Sequence, residues 1–198
     1  MKESTAKSTP ERVIAFSDGV FAIIITIMIL ELKRPAAPTF EALFAEWPTW
    51  VSYIVSYVFI AIVWIQHHFL LRYATVATLK LMWTNFAHLF SASLVPFLTD
   101  WMADTRMAAV PVMCYAFAFL LVNITYLSLA WQTVRARKKM ELEDHGHRLF
   151  HLRSIGTLVF FFAAMIVAFW YPYIGFGLIC LSLLLYLRPD TPGMRTNK

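Results

Sequence analysis

"RVIAFSDGVFAIIITIMILEL", residues 12–32, begins with an arginine, a serine and an aspartate, then runs without charge from Gly19 to Leu30 with Thr26 as its only polar side chain. Between Val13 and Leu32 only Asp18 and Glu31 are charged. A helix crossing a hydrocarbon core of about 30 Å needs roughly 20 such residues, so the stretch predicts a membrane-spanning helix. The rest of the chain repeats the pattern. Uncharged runs from Trp47 to Leu71, Leu81 to Thr99 and Met107 to Val134 predict spans two to four. A longer run, Ser154 to Leu187, exceeds one span and contains "WYPY" at 170–173. Pro172 cannot donate a backbone hydrogen bond, and Trp and Tyr favour the membrane interface, so this run divides into spans five and six.

Composition agrees: 60% of residues are hydrophobic and 15% charged, against an apolar share of about 45–50% in soluble domains. The reading is an all-α integral membrane protein of six transmembrane helices, a single unit over residues 1–188, with a disordered tail at 189–198. The polar N-terminus lacks a small-residue cleavage site before the first span, which predicts that this span is retained. Of the 17 lysines and arginines, all but Lys33, Arg34 and Arg106 fall on one side of these spans, placing both termini in the cytoplasm. The formal charge of +5 therefore reports topology. It does not point to nucleic acid, because basic and aromatic residues do not share a polar surface. Cys114 and Cys180 lie singly in apolar runs and suggest neither a disulfide nor a metal site.

Ionisable side chains at membrane depth are costly unless paired or hydrated, which makes each a functional candidate. Asp18 stands near the inner end of span one. Trp64, His67 and His68 stand near the inner end of span two, and Asn85 and His88 near the inner start of span three. Because span two runs opposite to its neighbours, all of these share one depth. The expectation is a hydrogen-bonded cluster of Ser17, Asp18, His67 or His68, Asn85 and His88. Adjacent histidines point about 100° apart on a helix, so which one joins stays open. No metal pattern or catalytic set is visible, and neither a cofactor nor enzyme chemistry is expected. Ile23, Ile27 and Leu30 form one stripe, with Thr26 beside it. Composition cannot distinguish a packed stripe from one that lines a pore.

Arg12, followed after three residues by Phe16-Ser17-Asp18, resembles the R-x-x-x-F-S-D signature in the first helix of the transmembrane protein 175 family of potassium channels. Trp64 with His67-His68, Asn85 and "LVPFLT" at 94–99 add to the resemblance. It implies a homotetramer in a bacterial cytoplasmic membrane, with four first helices around a central pathway for potassium ions; membrane lipids are the further expected partner. It further implies Ile23 as the hydrophobic constriction, Ile27 and Leu30 as its continuation, and Thr26 as a contributor to selectivity. Arg12, Phe16, Ser17 and Asp18 would hold the pore helix against spans two and three. An isoleucine ring supplies no oxygen ligands and can act only through width and dewetting, so selectivity is expected to be modest. Lys33 and Arg34 are expected to face lipid headgroups. The competing class is a proton-coupled secondary transporter using Asp18 and the histidines.

Overall fold

A computed structural model describes residues 10–72, 74, 76–139 and 147–186; the expected tail at 189–198 lies outside them. The chain forms α1 (Pro10–Met28), a 3-10 turn at Ile29–Glu31, α2 (Phe40–Ala45), α3 (Trp47–Arg72), α4 (Leu79–Ser93), α5 (Val95–Asp104), α6 (Ala109–Lys139), α7 (His147–Trp170) and α8 (Pro172–Tyr186). Among the described residues, four segments are long and apolar enough to cross a membrane: Pro10–Glu31, Trp47–Arg72, Leu79–Asp104 and Ala109–Thr133. Two shorter apolar helical stretches, Ile155–Trp170 and Pro172–Leu184, lie where the fifth and sixth spans were expected. The architecture is an all-α, multi-pass membrane fold.

The third span is longer than its uncharged run predicts, continuing past Asp100 to Asp104, and it is interrupted at Leu94 between α4 and α5. Pro96 explains the interruption. It offers no N–H to the carbonyl of Ala92, and its ring crowds that carbonyl. α2 was not foreseen; Thr39 caps it, its hydroxyl accepting from the Ala42 N–H at 3.2 Å. At the corner between α5 and α6, Arg106 and Met107 have φ of 49° and 62°. The Met107 N–H closes on the Met102 carbonyl at 2.8 Å, and this left-handed turn delivers the Met107 side chain into the core, where it is 2% exposed.

Helix α7 packs along both α6 and α8, and α1 packs against α3 and α4. The core between α3, α6 and α7 is aromatic. Phe59 stacks on Phe119 with centroids 3.6 Å apart, and Phe161 meets Phe119 edge-on at 5.6 Å. Deep beside it, the hydroxyl of Ser56 lies 2.6 Å from Thr99 Oγ1 and 2.7 Å from the Tyr115 hydroxyl. This satisfied triad fixes α3 against α5 and α6, since an unpaired hydroxyl in hydrocarbon is costly.

The predicted division at 170–173 is present: α7 ends at Trp170 and Pro172 starts α8, a position where its missing N–H costs nothing. The two helices then approach at Gly175, where an added Cβ meets Ala168 Cβ at 2.6 Å and its Cα at 2.8 Å. Backbone cannot yield as a flexible side chain does. Gly175→Val is expected to destabilise by about 1–3 kcal/mol, read as a lower melting temperature in detergent. Gly177→Ala, whose Cβ meets nothing within 4 Å, should leave melting unchanged or raise it.

Candidate functional site

Helix α1 has two opposite faces. Its buried residues are Ser17, Phe21, Ile24 and Met28, a stripe at helical spacing that seats it on α3 and α4. Its other face carries Phe16, Ile23 and Ile27, continued by Leu30 of the following 3-10 turn; these are 53%, 58%, 43% and 76% exposed. Only 22% of the apolar window of this span is buried, against 44% or more in the other three long spans. The bare face of a membrane-spanning helix that is apolar on both sides and covered on one meets either lipid or another chain.

The buried face is pinned by a polar junction. The Asn85 side-chain amide donates to Ser17 Oγ at 3.0 Å, while Ser17 Oγ donates to the Val13 carbonyl at 2.8 Å. Asn85 Oδ1 lies 2.7 Å from His67 Nε2; a carbonyl oxygen only accepts, so this nitrogen carries the proton. Ser17, His67 and Asn85 are at most 1% exposed. Beyond them His88 stacks on His67, with centroids 5.5 Å apart and planes 9° from parallel. The Thr125 hydroxyl donates to the Leu121 carbonyl at 2.9 Å and so can accept from His88 Nδ1 at 3.1 Å. Phe21 covers the edge of the His67 ring at 5.2 Å. One chain of contacts therefore joins α1, α3, α4 and α6.

Asp18 belongs to a separate, half-exposed pair of contacts. Trp64 Nε1 donates to its Oδ1 at 2.8 Å, and His68 Nδ1 stands 3.6 Å from the same oxygen. The two adjacent histidines thus divide the work: His67 turns inward to Asn85 and His68 turns toward Asp18. Phe16 meets Phe86 of α4 edge-on at 5.5 Å. Arg12 is exposed and, among the described residues, enters no ion pair.

Above this junction, Ile23 is five residues beyond Asp18, or about 7.5 Å along the axis, and Leu30 about 18 Å beyond it. Thr26 lies on the exposed face, its hydroxyl donating to the carbonyls of Ala22 at 2.9 Å and Ile23 at 3.0 Å. With its proton turned back to the helix, the oxygen presents lone pairs outward and can meet a cation. The stripe otherwise offers only methyl groups. Among the described residues, no group of three His, Cys, Asp or Glu side chains could hold a metal ion.

At the far end, Lys33, expected to face lipid headgroups, is exposed and has its ammonium 3.1 Å from the equally exposed Asp104 carboxylate. That hydrogen bond and the adjacent negative charge hold the lysine above its ordinary pKa. Such a contact spans 71 residues of sequence, and nothing in the local pattern signals it.

Residues 12–96 match the family model described as the endosomal/lysosomal potassium channel TMEM175. A potassium channel of Chryseobacterium sp. (strain P1-3) is 34% identical over 183 residues, covering 92% of this chain and 94% of that protein. The endosomal/lysosomal proton channel TMEM175 of Gallus gallus is 39% identical over 80 residues, 34% of this chain and 16% of that protein. Among solved structures, that of a lysosomal potassium-selective channel TMEM175 homolog from Chamaesiphon minutus superposes with a TM-score of 0.79 at 23% identity, over 90% of this chain and 96% of that one. With the first-helix stretch inside the matched region and a relative aligned almost end to end, the chain belongs to the TMEM175 family.

Proposed function

We propose that the protein is a potassium channel: a homotetramer in a bacterial cytoplasmic membrane, termini inside, with the exposed face of α1 from each subunit around a central pathway. The observation that carries this reading is the division of α1 into a face locked by the Ser17–Asn85–His67 junction and a bare apolar face. Four such faces meeting on an axis bury their methyl groups against one another and leave a narrow hydrophobic constriction at Ile23, continued by Ile27 and Leu30. The constriction excludes water when narrow and so blocks ions without needing a ligand set. Widening it admits a partly hydrated cation. Thr26 oxygens beside it then favour the ion that sheds water more easily, which is potassium. The junction is the fulcrum about which α1 tilts.

Potassium flux into liposomes containing the purified protein tests this. The expected result is passive flux that reverses near the potassium equilibrium potential and needs no proton gradient. Saturable flux that stops when the proton gradient is collapsed would instead establish the transporter reading. Against that alternative, Asp18, His67, His68 and His88 cluster toward one end of the spans, whereas a proton path requires groups strung across them. Ile23, Thr26 and Leu30 continue the route with nothing titratable.

A further inference from the structure

The segment joining α1 to α3 carries an apolar surface that the subunit leaves open. Lys33 is engaged by Asp104, but the next residue, Arg34, is exposed and enters no ion pair among the described residues. Arg34, Pro35, Pro38, Phe40 and Leu43 bound an open hollow of about 830 Å³. Phe40 and Phe44, one helical turn apart on α2, are 78% and 70% exposed with rings stacked at 6.5 Å. At the start of α3, which follows α2 after one residue, Trp47, Trp50, Ile54 and Tyr57 are also exposed; they recur at steps of three and four residues and therefore share one face. Two observations identify what covers this surface. The α3 stripe lies on a membrane-spanning helix and begins with tryptophans, the residues of the headgroup boundary. At that same level the hollow has a free guanidinium at its rim, a group that grips phosphate through parallel N–H donors.

We propose that residues 34–44 form a binding site for an anionic phospholipid of the leaflet opposite the basic cytoplasmic face. Its phosphate sits on Arg34, and its glycerol and upper acyl chain lie over Pro35, Pro38, Phe40, Leu43 and Phe44. The site depends on the orientation of the spans and is independent of whether the protein conducts ions.

The test uses the full chain in vesicles of phosphatidylglycerol and phosphatidylcholine. A spin label is placed at Phe44→Cys, and separately at Phe40→Cys, with Cys114 and Cys180 replaced by alanine. The expected result is that dissolved oxygen, which partitions into lipid, relaxes both labels more than a water-soluble nickel chelate does. A nickel effect exceeding that of oxygen places α2 in water, and low accessibility to both places it under a second copy; either overturns the proposal. Should the cysteine-free background not fold, Arg34→Gln alone decides. The phosphatidylglycerol retained per purified protein, relative to phosphatidylcholine, should fall about fivefold, the enrichment one basic side chain gives near an anionic surface. An unchanged ratio overturns the proposal.

Discussion

Ile23→Asn raises potassium flux into liposomes by on the order of tenfold and lowers the preference for potassium over sodium, a change equal to about 1.4 kcal/mol off the barrier. The expectation follows from what an isoleucine ring can do. Its methyl groups offer no replacement for the water an ion loses, so the barrier at a narrow apolar ring is the cost of dehydration and of wetting the constriction. A ring of amides returns part of the lost coordination and keeps the constriction wet. Because the gain is shared by any cation, discrimination by width weakens while flux rises. A folding defect of the subunit is a poor competing explanation, since Ile23 is 58% exposed within a single subunit and its buried neighbours on α1 are Phe21 and Ile24. Helix propensity itself differs by only a few tenths of a kcal/mol between Asn and isoleucine. Currents identical to those of the native protein would remove Ile23 from the pathway.

The four long spans and the break at Pro172 were legible because hydrocarbon thickness and proline chemistry act on contiguous sequence. The common depth of Asp18, His67, His68, Asn85 and His88 was legible for a related reason: alternating helix direction follows from the count of spans. Which histidine meets Asn85 was not, because adjacent residues differ only in helical phase, and that phase is set by how α3 packs on α1 and α4. Contacts between distant segments left still less trace. Lys33–Asp104 and Ser56–Thr99–Tyr115 join residues 43 to 71 positions apart, and each partner alone reads as an ordinary polar side chain. α2 was overlooked because six residues with two exposed phenylalanines carry no amphipathic repeat. The bare stripe at Ile23, Ile27 and Leu30 was visible as a stripe, but its meaning came from the family resemblance. What the structure adds is that the opposite face of the same helix is the buried one.

A large loss of stability is also expected where that buried face meets α4. Asn85→Ala removes the amide that donates to Ser17 and the oxygen that receives His67, and it does so where all three residues are at most 1% exposed. Stranding a buried donor costs about 1–3 kcal/mol, whereas a hydrogen bond between membrane helices averages only about 0.6 kcal/mol because the separated helices find other partners. The stranded His67 therefore dominates, all the more since its Nδ1 has no hydrogen-bond partner among the described residues and the ring cannot satisfy itself elsewhere. Ser17 suffers less, keeping the Val13 carbonyl. The total should be about 2 kcal/mol, measured as earlier thermal dissociation in detergent, with Ser17→Ala costing less than half as much. His67→Phe combined with Asn85→Leu removes donor and acceptor together and should recover about 1 kcal/mol relative to the sum of the single changes, the sign of a coupled pair. Additive losses would mean that Asn85 and His67 stabilise α1 independently, and the fulcrum would then have to be sought at Asp18 and Trp64 instead.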